Sequence, residues 1–260
     1  MRLRLFGYLL ATCLLFGFSG CTTVPHTGRT ALHLVTTAQL ASSAAVQFDQ
    51  LKQQTPISND PYYNNMVQRV GERIAYAAAP DMPNADWEFV VFDDPSQINA
   101  FAMPGGKVAV YTGLFQVVRA EADLAVVIGH EVAHIVAGHS AERVSQQILA
   151  SGGQLLTEYG TRELESAERQ TLLAAFGVST NYGLILPYSR LHETEADKIG
   201  LIYAAKAGYD PRVAIPFWDR METFSSGASP EFLSTHPSGA NRKQRLELLM
   251  PQMIEIYRNR

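Results

Sequence analysis

The stretch EADLAVVIGHEVAHIVAGH, residues 121–139, decides how the chain is read. Glu121 and Asp123 open it, where the dipole of a helix start favours negative charge. Leu124 to Gly129 are all apolar or small, so a helix over Glu121–His139 is greasy nearly all round and belongs in a core. Yet His130, Glu131 and His134 sit inside it. Imidazole and carboxylate groups are costly there without partners. The bland explanation is core histidines satisfied by neighbours; the sharper one is a bound metal. Residues at i and i+4 share a helix face, so both imidazoles can grip one Zn2+ at about 2.0–2.1 Å each. Glu131 lies to one side of that face, where it can take a proton from water activated by the ion. One helical turn thus holds metal ligands and a general base.

A catalytic zinc needs a third protein ligand and an open position. The next strong helical pattern, Leu191–Ala207, supplies carboxylates in Ser189-Arg190-Leu191-His192-Glu193-Thr194-Glu195-Ala196-Asp197. Glu193 and Asp197 are four apart and share a face, so one could ligate while the other orients a ligating histidine. Spacing alone leaves Glu193, Glu195, Asp197 and His192 all open, and a solvated acidic face is the plain alternative. His139 extends the first motif but has rotated away from the zinc-facing side, which assigns it to structure or to support of the site. His26 and His33 read as incidental.

Around these two helices the chain reads as mixed α and β. Gln39–Lys52, Tyr62–Ala77, Val213–Phe224 and Asn241–Arg260 carry helical spacing, and Ala141–Leu173 reads as helix interrupted at Ser151-Gly152-Gly153. Trp87–Phe92 reads as a strand. Ile98–Met103 and Lys107–Tyr111 flank Pro104-Gly105-Gly106 as a hairpin.

The 260 residues are 47% apolar and 18% charged, ordinary for a globular chain, with a formal net charge of -4 that leaves no footprint for nucleic acid. Arg2 and Arg4 precede an apolar run from Leu5 to Phe18, too short to span a bilayer, and then Ser19-Gly20-Cys21. That order reads as a secretory signal. Phe18-Ser19-Gly20-Cys21 resembles a bacterial lipobox, which makes Cys21 the lipidation site; a simple anchor helix or ordinary signal peptide is the alternative. The expected organisation is a lipoprotein signal peptide over 1–20, a flexible lipid-anchored tether over 21–38, and a metallopeptidase domain over 39–260. The expected location is the periplasmic side of the outer membrane of a Gram-negative bacterium, anchored through Cys21. Cys13 and Cys21 are the only cysteines, so no disulfide is expected.

His130–His134 followed by Glu193-Thr194-Glu195-Ala196-Asp197 resembles the HtpX-like and CAAX-prenyl-protease-like gluzincins, whose pattern is HExxH followed by ExxAD. The resemblance extends to Asn99-Ala100-Phe101-Ala102, Pro104-Gly105-Gly106, Tyr111-Thr112-Gly113-Leu114, Ser189-Arg190 and Thr235-His236-Pro237 with Arg242. Lacking internal spanning helices and the helical-repeat partner domain of BepA-like members, the chain resembles most the short periplasmic lipoproteins of the LoiP type. The resemblance implies an α+β fold: a mainly helical zincin with a small sheet against the active-site helix. It implies one Zn2+ per chain, Glu193 as third ligand, Asp197 and Arg242 in support, and Asn99, Ala100, Phe101 and Ala102 as an edge strand that pairs with peptide. His236 is implied to lie near the site, either donating to the oxyanion or serving as a latent fourth ligand; a loop-capping role is the plain alternative. The function so implied is a zinc endopeptidase for misfolded or misassembled envelope proteins, with outer-membrane assembly factors as partners. The rival classes are a non-proteolytic envelope assembly factor in which zinc is structural, and a metal hydrolase acting on something other than peptides.

Overall fold

A computed structural model describes residues 20–162, 164–168, 170, 172–173, 186–224, 231–236 and 241–260. The segment up to Ser19 expected to be a signal, positions 163, 169 and 171 of the expected Ala141–Leu173 helix, and Pro237 lie outside the described residues.

The fold is α+β and mainly helical, as the resemblance implies. Strands β1 (Cys21–Thr23) and β2 (Thr30–Leu32) form an antiparallel hairpin. Helices α1 (Thr37–Gln54) and α2 (Pro61–Ala78) follow, each started by local chemistry. Thr36 and Gln39 make a reciprocal capping box for α1, and Asp60 caps α2 with Pro61 at the first helical position. Strands β3 (Glu88–Phe92), β4 (Ala100–Met103) and β5 (Lys107–Tyr111) form one sheet in the order β3-β5-β4. β4 and β5 are the expected hairpin, turning through Gly105 and Gly106 at φ 94° and 97°, a region glycine occupies without penalty. β3 pairs parallel to β5, so β4 is left at an edge.

Helix α3 (Glu121–Val136) packs most extensively on α5 (Leu186–Lys206), and also on α2 and β4. Its residues from Asp123 to Ile135 are buried, as its apolar pattern requires. The core joins Val70 and Ile74 of α2, Leu124 and Ile128 of α3, and Ile199 and Tyr203 of α5. The rest is α4 (His139–Gly160), α6 (Ala214–Thr223), the short α7 (Glu231–Thr235) and α8 (Arg242–Arg258). Among the described residues no single helix is long and apolar enough to cross a membrane.

Four sequence expectations are corrected here. The helix expected over Glu121–His139 ends at Val136, because Gly138 adopts φ 68° and the chain bends by 49° into α4. The break expected at Ser151-Gly152-Gly153 is absent; α4 runs through it, and a Cβ at Gly152 would meet nothing. The stretch expected as a flexible tether, residues 21–38, is instead a packed hairpin leading into α1. The β1–β2 hairpin buries Val24 and Ala31 against the core, and His26 bonds Asp81 at 2.9 Å. His26, expected to be incidental, is a structural contact.

Candidate metal centre

Helix α3 presents His130 and His134 on one face, and α5 lies across it. The crossing is very close: a Cβ on Gly129 would come 2.7 Å from the Gly200 carbonyl oxygen, and one on Gly200 would come 2.7 Å from the His130 nitrogen. Glu193 and Asp197 occupy the same α5 face as Gly200, at helical spacing. The glycine contact therefore carries both carboxylates to the imidazoles.

Ligand atoms of His130, His134, Glu193 and His236 all lie within 4.8 Å of one another. His130 Nε2 is 3.1 Å from His134 Nε2 and 3.1 Å from Glu193 Oε2. Glu193 Oε1 is 3.4 Å from His134 Nε2 and 3.2 Å from His236 Nδ1, and His130 Nε2 is 3.3 Å from His236 Nδ1. A tetrahedron with metal–ligand bonds of about 2.0–2.1 Å has edges of about 3.3–3.4 Å. Imidazole nitrogens and carboxylate oxygens at those separations fit zinc. Two buried carboxylate oxygens, Glu131 Oε1 and Glu193 Oε2, face only imidazole nitrogens, at 3.3 Å and 3.1 Å and without full hydrogen-bond geometry, which points the same way.

The electrostatics describe a cation site. Burial works against a charged His130, but Asp197 and Glu193 outweigh it and raise its pKa to about 9. Burial likewise resists ionisation of Glu193, yet hydrogen bonds from His130 and His236 hold it well below the usual carboxylate range. A pocket that draws a proton onto an imidazole concentrates negative charge that a metal ion would also satisfy. Burial pushes the Glu131 carboxyl up, opposed by His236 and His130, and the Ala102 backbone N–H of edge strand β4 favours its ionised form.

Support comes from behind. His130 Nδ1 lies 3.1 Å from Asp197 Oδ1. Arg242 donates to Asp197 through Nε at 3.0 Å and Nη2 at 2.6 Å, and its guanidinium lies 3.3 Å from the centre of the Trp218 ring. Phe232 stacks on His236 with centroids 4.5 Å apart, and His236 Nε2 faces Glu131 Oε1 at 3.3 Å. The structure thus gathers His130, Glu131, His134, Glu193, Asp197, His236 and Arg242 in one place, with Ala102 beside them. Asn99 turns its side chain onto the Ala100 amide, and the paired strand begins at Ala100 rather than Ile98. Cys21 is exposed at the start of β1.

Sequence reasoning missed the neighbours of His134. The bend at Gly138 returns His139 to it, Nδ1 to Nδ1 at 2.8 Å, and His139 Nε2 meets Glu195 Oε2 at 3.1 Å. Arg29 of the hairpin donates to Glu195 through Nε at 2.9 Å and Nη2 at 2.7 Å, and to both oxygens of Glu142 at 2.8 Å. His139 and Glu195 were visible inside the motifs; Arg29 was a lone charge in a polar stretch with no periodic signal.

Residues 61–249 match the model of Peptidase family M48. The chain is 39% identical over 187 residues to "Mitochondrial metalloendopeptidase OMA1" of Arabidopsis thaliana, covering 71% of this chain and 36% of that protein. It is 38% identical over 183 residues to "Metalloendopeptidase OMA1, mitochondrial" of Homo sapiens, covering 68% of this chain and 35% of that protein. It is 34% identical over 197 residues to a "Putative beta-barrel assembly-enhancing protease" of Vibrio cholerae, covering 74% and 40%. The chain thus spans little more than a third of the length of these two OMA1 relatives. These relatives also correct the expected location: the OMA1 proteins, more similar than the bacterial protease, are mitochondrial, so the periplasmic, lipid-anchored placement read from the N-terminus is overturned.

Proposed function

The chain belongs to peptidase family M48, and on that premise we propose that it is a zinc-dependent endopeptidase with His130, His134 and Glu193 as ligands and Glu131 as general base. The observation that carries the proposal is the gathering of ligand atoms from α3, α5 and the residue after α7, all within 4.8 Å of one another, beside a buried carboxylate that is not one of them. A purely structural metal site, as the assembly-factor reading requires, has no use for that carboxylate.

When bound, the ion would polarise a peptide carbonyl and make water a nucleophile near neutral pH. Glu131 takes the proton and delivers it to the leaving amine. Asp197 accepts the Nδ1–H of His130 and so leaves Nε2 free to ligate, while Arg242 neutralises Asp197. The edge of β4 offers backbone groups to an extended peptide, and the Ala102 N–H toward Glu131 supports that register. The order of motifs supports placement beside the HtpX-like, LoiP-type members. The substrate class we infer is misfolded or misassembled envelope protein, in keeping with the printed name of the Vibrio cholerae relative. Residues 39–260 form the peptidase unit, with the β1–β2 hairpin packed onto it.

The position of His236 Nδ1, 3.2 Å from Glu193 Oε1 and 3.3 Å from His130 Nε2, favours a second reading of that residue. There His236 would be a fourth ligand to a bound ion and keep the centre latent, and on moving away it would be free to donate to the oxyanion. Metal analysis with digestion of an unfolded protein tests the whole. Wild type should bind one zinc and cleave; Glu131→Gln should keep the zinc and lose about 10²–10⁴-fold in rate. A Glu131→Gln protein that still cleaves at the wild-type rate overturns the base assignment.

A further inference from the structure

We propose that the N-terminal hairpin is a working part of the metal centre: Arg29 fixes Glu195, Glu195 takes the Nε2–H of His139, and the bare Nδ1 of His139 takes the Nδ1–H of His134, leaving His134 Nε2 aimed at the ion. The inference rests on the reading of His134 as a ligand, and it adds three positioning residues to it.

Counting protons carries the argument. The Nδ1 atoms of His134 and His139 are 2.8 Å apart, so one holds a hydrogen and the other a lone pair. A neutral His134 that ligates through Nε2 holds its hydrogen on Nδ1. His139 then has a bare Nδ1 and a hydrogen on Nε2, which is 3.1 Å from a carboxylate oxygen of Glu195. Every hydrogen in the row has an acceptor. The reversed row would set a bare His139 Nε2 against that carboxylate, lone pair to lone pair. The hairpin forbids the escape of protonating Glu195: the Arg29 guanidinium donates twice to its Oε2, and the Thr27 hydroxyl donates to Oε1. The same guanidinium bridges Glu142, which also accepts from His192 at 2.9 Å, and His192 stacks on His139 with centroids 4.1 Å apart and planes 17° from parallel. The His139 ring is thus held on its edge and on its face. His130 is likewise held by Asp197 and Arg242, so each imidazole has its own carboxylate and arginine. For His130 the chain of contact is direct; for His134 it passes through a second histidine.

Outer partners of this kind change metal affinity about 10–100-fold when removed. The test is zinc competition titration on the full chain, with nitrogen-detected NMR of the zinc-loaded wild type. Arg29→Met and His139→Phe, the latter keeping a ring to stack on His192, should each weaken zinc binding about 10–100-fold. His26→Ala, which loosens the same hairpin at its Asp81 contact without touching the row, should leave affinity within about twofold of wild type, well below that loss. In the wild type, His139 should carry its hydrogen on Nε2 alone. Should Arg29→Met or His139→Phe fail to fold, the NMR result decides. A hydrogen on His139 Nδ1, unchanged affinity in Arg29→Met and His139→Phe, or an equal loss in His26→Ala overturns the inference while leaving the zinc reading intact. A wild type that binds no zinc overturns the zinc reading itself.

Discussion

Arg242 and Asp197 are both buried and joined by two hydrogen bonds, with His130 beside Asp197 and the Trp218 ring against Arg242. Removing one partner of such a pair strands the other charge in a poorly polarisable interior, at a cost of about 3–5 kcal/mol. Arg242→Met should lose that much in a urea melt, more than a surface change would. The acid limb of stability has its own source. Burial resists ionisation of Glu142, but His192 and Arg29 outweigh it and bring its pKa to about 2, against 4.5 for a free side chain. Between those values the unfolded chain binds the proton and the folded one does not. The contribution is therefore complete above pH 4.5 and is lost as pH falls from there toward 2. Glu142→Gln should flatten the pH dependence of the unfolding free energy over that window, as read by urea melts at successive pH values.

At the scale of elements, the closeness of α3 and α5 is the decisive feature. Their contact is glycine on glycine, and a methyl group at Gly200 would stand 2.7 Å from the backbone nitrogen of His130. Gly200→Ala should force the helices apart, cost about 1–3 kcal/mol of stability, and weaken zinc binding because Glu193 rides on the displaced helix. Gly152→Ala is the contrast: its new Cβ meets nothing, so it should stabilise α4 by about 0.5–1 kcal/mol and leave zinc affinity alone. Thermal melts and zinc titration of the two variants separate the effects. The elements also show what a sequence exposes and what it hides. The apolar run of α3, the helical spacing of α2 and the turn glycines of β4–β5 are local, and each was readable. The parallel pairing of β3 with β5 was not, because pairing is a long-range choice that a short apolar strand does not encode. The β1–β2 hairpin was hidden for a related reason. Its strands are three residues each, and what holds it down is Arg29 reaching carboxylates 113 and 166 residues away. The bend that returns His139 to His134 hangs on one left-handed glycine, Gly138, which reads equally well as an ordinary helix end.

For the molecule as a whole, the metal centre is a knot. His130 and His134 come from α3, Glu193 from α5, and His236 from the end of α7, so an ion held by them would tie together segments spread over more than a hundred residues of chain. Without the ion those groups are four buried, mutually close polar side chains. An unfolded chain cannot assemble them, so zinc binds the folded state alone, and by linkage the folded state gains about 2.7 kcal/mol at free zinc of about 100 times the dissociation constant. In a domain of this size about 1 kcal/mol moves the midpoint by about 2–4 °C, so zinc should raise the melting temperature by about 5–10 °C. A strong chelator should reverse that rise. His134→Ala should melt at one temperature with or without zinc. Arg242→Met should lose stability yet keep a zinc-dependent shift, because its buried charge pair stands behind a ligand and is not one. If chelation leaves the wild-type midpoint unmoved, the four side chains are satisfying one another, and the buried histidines return to the bland reading of a polar core.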